Sequence, residues 1–328
     1  MRELRRLLRG VLRILLPVAV LPFAPLFALV ARTGIGVDVC RRFGFHPLRL
    51  HFHQPVPRYE EVPPGYFERA QDHPGIVISL ESADALLGRL ATFGGECRWP
   101  EQAGAPGVYY STNGNFGFSS AALLHAMIRS FLPRRMVEVG GGYSSLISLA
   151  ALKANGPDWH FTSIEPYPAA WLREALAREG QRAALIERQA QSLDPALFEA
   201  LEENDILFID SSHVSNLASD VNFLFLRVLP RLKPGVIVHV HDVYLPYEYP
   251  AAHFSGENKL FWNEQYLLQA FLACNPDFEV LLPGFHAQTA LGEVFARAFP
   301  AYHSQRHRKT SSFWLRRRPA ARRSTGAS

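Results

Sequence analysis

From Met136 onward, short apolar runs alternate with longer stretches in which apolar positions recur about every 3.6 residues. The runs near 136–140, 161–165, 184–188, 205–210 and 235–241 read as strands. The stretches near 145–154, 169–179, 194–202 and 215–229 read as helices. A helix from Trp262 to Cys274, a strand from Phe278 to Leu282 and a last strand from Ser311 to Leu315 follow. Such alternation predicts an α/β, doubly wound fold whose mostly parallel sheet is covered on both faces.

Upstream the pattern is less regular. Phe52 to Gly107 is rich in His, Pro, Gly and aromatic residues, with one near-3.6 period from Ser82 to Thr92. Ser119 or Ser120 suits the cap of a helix that ends near Phe131, before Pro133. Residues 1–50 form a basic and apolar segment, 51–107 a lead-in, 108–316 the main domain and 317–328 a basic tail.

Ile14 to Ala31 is an 18-residue run without a charge, flanked by Arg2, Arg5, Arg6, Arg9 and Arg13 on one side and Arg32 on the other. A spanning helix needs about 20 apolar residues, and Pro17, Pro22 and Pro25 are expected to interrupt its hydrogen bonding. A cleaved signal, a membrane anchor and an arm packed on its own domain or a partner all stay open. Basic flanks fit a segment lying against anionic lipid at the inner membrane face, with the body in the cytoplasm.

The 328 residues carry a net charge of +4, with 48% apolar and 20% charged residues, which marks a globular protein. The charge is unevenly spread. Residues 1–50 hold nine Arg against Glu3 and Asp38, and residues 303–328 hold eight Lys or Arg and no acid, so the middle totals −11. An acidic body argues against nucleic acid as a partner, since phosphate binding needs basic residues along the contact face. Cys40, Cys97 and Cys274 are scattered, which fits reduced thiols and offers no metal cluster.

Between the first strand and the following helix lies Glu138-Val-Gly140-Gly141-Gly142-Tyr-Ser-Ser145. Gly140 and Gly142 tolerate φ > 0 and let a ligand approach the backbone, and the helix start offers unpaired N–H groups. Glu165 ends the second strand 25 residues after Gly140, where an acid binds ribose hydroxyls. Together they point to an adenosine-type cofactor. A dinucleotide fingerprint places a third glycine where this chain has Ser145.

Glu138-x-Gly140-x-Gly142, Phe208-Ile-Asp210-x-x-His213 and His241-Asp242 resemble the motifs of class I S-adenosylmethionine-dependent methyltransferases, in a small-molecule O-methyltransferase-like subfamily. The resemblance covers about residues 106–316. It implies a Rossmann-like sheet of seven strands with an antiparallel last strand, plus the N-terminal extension. It also implies S-adenosyl-L-methionine as cofactor, with Glu138 facing its methionine part.

Glu138, Glu165, Asp210 and Asp242 are expected at one rim of the sheet, where such folds bind ligands. Glu138, Gly140, Gly141, Gly142, Glu165, Asp210 and Gln191, the last with Gln189 and Ser192 near adenine, are the cofactor candidates. Tyr143 flanks the methionine end or packs against a helix. Methyl transfer to a hydroxyl needs a base, and His213 and His241 have the right chemistry, steered by Asp210 and Asp242. His239 is expected to be a hydrogen-bonded core residue, and Asp210-Ser211-Ser212 has a second reading as a helix cap. Catechol-type relatives hold Mg²⁺ with two acids and an Asn, but Val243 follows Asp242 here. No metal ligand is therefore assigned, and metal dependence is left open without being favoured.

Tyr244, Tyr247 and Tyr249, with Trp262, Asn263, Glu264, Gln265 and Tyr266, offer walls and anchors for a small-molecule or glycan acceptor. The reading is a membrane-associated S-adenosylmethionine-dependent O-methyltransferase. An NAD-dependent oxidoreductase and a non-catalytic membrane-tethered binding module are its alternatives.

Overall fold

The computed structural model describes residues 2–56, 58–255 and 259–318. It divides into two compact units, Met1–Pro64 and Gly65–Ser328. In the first, a helix runs from Arg2 to Val20, a 3-10 turn from Leu21 to Phe23, and a second helix from Ala24 to Thr33. The prolines interrupt less than expected. Pro22 and Pro25 fall in the first turns of their elements, where the missing N–H has no helical partner to lose. Gly34 closes the second helix at φ 74°, its N–H donating to the Val30 carbonyl. Gly10–Thr33 is thus 24 residues containing an 18-residue window of mean hydropathy 2.5, long and apolar enough to cross a membrane.

The second unit is built on one seven-stranded sheet: β1 (Arg135–Val139), β2 (His160–Ile164), β3 (Ala183–Ile186), β4 (Ile206–Ile209), β5 (Ile237–Val240), β6 (Phe278–Pro283) and β7 (Phe313–Arg317). Their order is β3-β2-β1-β4-β5-β7-β6. β1 to β5 pair in parallel, and β7 runs antiparallel between β5 and β6. The order reverses beside β1, so the ends of β1 and β4 flank the crevice such folds offer to ligands.

Two apolar cores cover the two faces. Met136, Ile206, Phe208 and Ile237 point into one with the helices Leu80–Leu90, Phe118–Phe131 and Tyr143–Ala154. Val137, Val139, Leu207, Ile209 and Val238 point into the other, with Phe198, Val221 and Leu268. Successive strand residues face opposite sides, so burial on both faces explains their continuous Val, Ile and Leu content.

Several expected elements shift. The helix of 82–92 starts at Leu80, because the Ser79 side chain accepts the Ser82 N–H as cap. Ser119 and Ser120 cap nothing. Their helix starts at Phe118 after Gly117, and both hydroxyls are buried against the residues before β7. Asp210-Ser211-Ser212 is no cap either. Ser219 caps the next helix, which begins at Asp220 and passes through a π-turn at Leu224–Val228. Only the turn Ala196–Glu199 forms in 194–202. Two short helices, Gly284–Ala290 and Gly292–Ala298, had no expectation. Most of the basic tail, 319–328, lies outside the described residues.

Candidate functional site

The glycine turn is dictated by close packing. Gly140 sits at φ +90°, its N–H donates to the Ile164 carbonyl at 3.0 Å, and a Cβ there would collide with the Asp210 carbonyl. At Gly141 a Cβ would meet the Ser163 hydroxyl. Gly142 departs from expectation, with an extended φ of −173° and open space where a Cβ would stand. Ser145, in place of a third glycine, donates to Glu138 Oε2 at 2.5 Å and accepts the Gly142 N–H at 3.1 Å. The hydroxyl therefore ties the turn to the acid beneath it.

Glu138 is fully buried within β1, and burial pushes its carboxyl up to about 8. Its Oε1 has no hydrogen-bond partner in the protein. A buried polar oxygen without a partner costs free energy, and the protonated form that burial favours lowers that cost. Unlike the other three acids, Glu138 is not in the lining of either rim cavity.

A cavity of about 420 Å³ opens past the ends of β1, β2 and β4. Gly140, Glu165, Gln189, Gln191 and Asp210 line it, with Asn216 and Ser219 opposite. Glu165 has one oxygen engaged, accepting the Tyr167 N–H at 2.8 Å. Gln191 presents a buried Oε1 without a partner. A carboxylate, an orphaned amide oxygen and a glycine turn admitting close backbone approach fit ribose hydroxyls, an adenine amino group and a methionine moiety. Tyr143 is not in the lining and stacks on Trp171 at 5.1 Å.

Asp210 also borders a second cavity of about 550 Å³. Asn115, Ser120, His213, His241, Asp242, Tyr244, Trp262, Arg308, Lys309 and Ser311 are among its lining. His213 takes φ 60° after β4 and Asp242 φ 57° after β5; these left-handed turns fold both side chains back over the strand ends.

His213 Nδ1 lies 2.8 Å from Glu264 Oε2, and its Nε2 lies 3.4 Å from Asp210 Oδ1 and 3.7 Å from Asp242 Oδ2. His241 Nδ1 lies 3.4 Å from Asp210 Oδ1 and 3.6 Å from Asp242 Oδ1, while its Nε2 faces Ser120 Oγ at 3.1 Å and Ser311 Oγ at 3.3 Å. The contacts beyond 3.3 Å are electrostatic and not hydrogen bonds. Ser311 also donates to Asp242 Oδ1 at 2.7 Å.

Burial pushes the His213 imidazole down, but Asp210 and Glu264 outweigh it and its proton affinity ends well above the usual value. At His241 burial likewise loses to Asp242 and Asp210, and the net shift is upward. Burial raises Asp210, yet the two imidazoles hold it well below the usual carboxylate range. Glu264 is raised, burial outweighing its pairing with His213. The two imidazoles and the acids around them therefore titrate as a coupled set and not as two free bases.

His239 is buried but hydrogen-bonded to nothing, contrary to expectation. Its ring stacks between Phe208 at 4.1 Å and Trp314 at 4.0 Å, and burial keeps it neutral. Of the aromatic candidates, Tyr244 and Trp262 line the cavity, while Tyr249 is core and Tyr266 donates to Glu248 outside it. Gln265 holds the loop by accepting the Tyr244 N–H.

Asp210, His241 and Asp242 offer ligand atoms within 4.8 Å of one another, a spacing a cation fits. His213 Nε2 already faces both carboxylates from between them, so an imidazolium supplies the positive charge there. That arrangement does not call for an ion.

Sequence comparison matches residues 137–243 to the family described as "Methyltransferase domain". An uncharacterized protein of Archaeoglobus fulgidus is 32% identical over 164 residues, covering 48% of this chain and 74% of that protein. Among solved structures, the S-adenosylhomocysteine-bound methyltransferase PaMTH1 of Podospora anserina aligns with a TM-score of 0.39 and 17% identity, covering 74% of this chain and 98% of that one. A putative caffeoyl-CoA O-methyltransferase from Staphylococcus aureus aligns at 0.38 and 18%, covering 49% and 76%.

Proposed function

We propose that the chain is an S-adenosylmethionine-dependent methyltransferase, a reading supported by its match to a methyltransferase domain over residues 137–243, and that it methylates a hydroxyl of a small molecule or glycan intermediate. The observation that carries this reading is the place of Asp210, which borders both cavities. One side offers Glu165, Gln191 and the glycine turn for the cofactor. The other presents the His213–His241–Asp242 cluster to the acceptor.

Bound in the first cavity, the cofactor supplies an electrophilic methyl group on a cationic sulfur. Glu165 would take the ribose hydroxyls, Gln191 the adenine amino group, and Gly140 and Gly141 would admit the methionine end. Asp210 faces both imidazoles, and any loss of its charge would lower their hold on the proton. One of them, His241 or His213, then gives up its proton and becomes the general base for the acceptor hydroxyl. The other stays charged and stabilises the developing oxyanion. Serine hydroxyls at 120 and 311 keep the His241 ring aligned.

The N-terminal apolar segment favours attachment of this cytoplasmic enzyme to the inner membrane face. Recovery of all of the protein in the soluble fraction of lysed source cells would remove the anchor. For the chemistry, purified protein is incubated with methyl-labelled S-adenosylmethionine and source-cell extract. Label should enter an alkali-stable ether with wild type and fall at least about 100-fold with Asp210→Asn. A labelled ester or a labelled amine would refute the O-methylation of a hydroxyl.

A further inference from the structure

We propose that the acceptor carries a fixed anionic group beside its reactive hydroxyl, and that Arg308 and Lys309 select it. The inference rests on the methyltransferase reading and adds the acceptor's chemical class. Both cations border the cavity of about 550 Å³ that holds His241 and Asp242. That volume suits a small hydroxylated molecule.

The cations of the C-terminal stretch divide by partner. Arg306 pairs with Glu101 at 2.9 Å, Arg316 with Glu279 at 2.5 Å, and Arg317 with Asp277 at 3.9 Å. Among the described residues, Arg308 and Lys309 have no carboxylate within ion-pair distance. Each is held by neutral groups instead. Arg308 Nη2 donates to the Gly114 carbonyl at 2.6 Å, and Lys309 Nζ donates to Thr289 Oγ1 at 3.0 Å and lies 5.4 Å from the Phe285 ring. Both side chains are exposed, and such contacts fix the direction of a cation without neutralising it.

The acids of the same cavity are already matched. Asp210 and Asp242 face His213 and His241 at 3.4 to 3.7 Å. Arg308 and Lys309 are thus the Lys and Arg side chains of the lining, and among the described residues neither has a carboxylate beside it. Ser311, three residues beyond Arg308, hydrogen-bonds Asp242, so at most about 10 Å of backbone separates the two regions. One small molecule can reach both. Its hydroxyl oxygen bonds the methyl carbon, the methyl–sulfur bond breaks with its electron pair going to sulfur, and the hydroxyl proton passes to the cluster. The carboxylate or phosphate held by Arg308 and Lys309 is left unmethylated.

The test uses the full-length protein with methyl-labelled S-adenosylmethionine and limiting source-cell extract. The labelled product should bind an anion exchanger at pH 8, and phosphatase treatment distinguishes a phosphate, whose charge it removes, from a carboxylate. The Arg308→Gln/Lys309→Gln double variant should form that product at least about 10-fold more slowly while binding S-adenosylmethionine as tightly as wild type by calorimetry, which also shows that it folds. A neutral product, or one formed at the wild-type rate by the double variant, would overturn the proposal. Failure of wild type to bind S-adenosylmethionine would instead remove the reading beneath it.

Discussion

Glu264 Oε2 accepts from His213 Nδ1 at 2.8 Å with both side chains buried, although the residues are 51 apart in the chain. Glu264 Oε1 also accepts the Ser211 hydroxyl at 3.2 Å. The acid therefore sets the ring that faces Asp210 and Asp242, and acts on the chemistry only through it.

Removing that support should be expensive. Glu264→Ala leaves an imidazolium buried without its partner and should cost about 3–5 kcal/mol in urea denaturation, whereas Glu264→Gln, which keeps the shape and an acceptor, should cost less than half of that. Turnover should fall in both, with S-adenosylmethionine affinity kept. An alanine variant as stable as wild type would mean that the pair does not hold the ring.

The glycines of the turn should differ sharply. Gly140→Ala forces a side chain to φ +90° and against the Asp210 carbonyl, and should lose about 2 kcal/mol or more of stability together with cofactor binding. Gly142→Ala meets no atom within 4 Å and should stay within about 1 kcal/mol of wild type. Equal losses would show that the turn is not shaped by the Asp210 contact.

Glu138 gives stability a pH dependence of defined sign. Its folded value of about 8 lies above the 4.5 of an exposed glutamate, so between these values the unfolded chain has released a proton that the folded protein keeps. Stability contributed by this group is present below the lower value and declines as pH rises towards the upper one, by on the order of a few kcal/mol. Glu138→Gln lacks this titration, so ligand-free E138Q should gain on wild type between pH 5 and pH 8 in thermal melts. Parallel curves would contradict the burial argument.

An imidazolium between the two rim carboxylates leaves no need for a divalent ion. Turnover should accordingly survive prolonged dialysis against EDTA within about twofold. Loss of activity restored by Mg²⁺ would show that an ion displaces His213 from between Asp210 and Asp242.

The sheet was legible because its strands are buried on both faces, so their apolar runs stand out: β4 and β5 fall within the stretches expected, and β1 and β2 start one residue before them. Glu165, Asp210 and Asp242 were legible as acids directly at or after strand ends. Glu264 was seen only as a wall anchor, since an acid in a helix's first turn ordinarily faces solvent and complements the dipole. Ser120, Ser311, Arg308 and Lys309 carried no local signal. Ser120 meets His241 across 121 residues of sequence, and only the packing of the helix Phe118–Phe131 against the approach to β7 creates that contact. The depth of Glu138 was hidden for the same reason: sequence places an acid before the turn, while its burial depends on Ser145 and the helix above.

Calorimetric titration of the purified full-length protein with S-adenosylmethionine tests the central claim most directly. Wild type should bind at one site, and Glu165→Ala, which removes the carboxylate meant for the ribose, should bind about 10- to 100-fold more weakly. Absence of binding by wild type, or an affinity untouched by Glu165→Ala, would contradict the account.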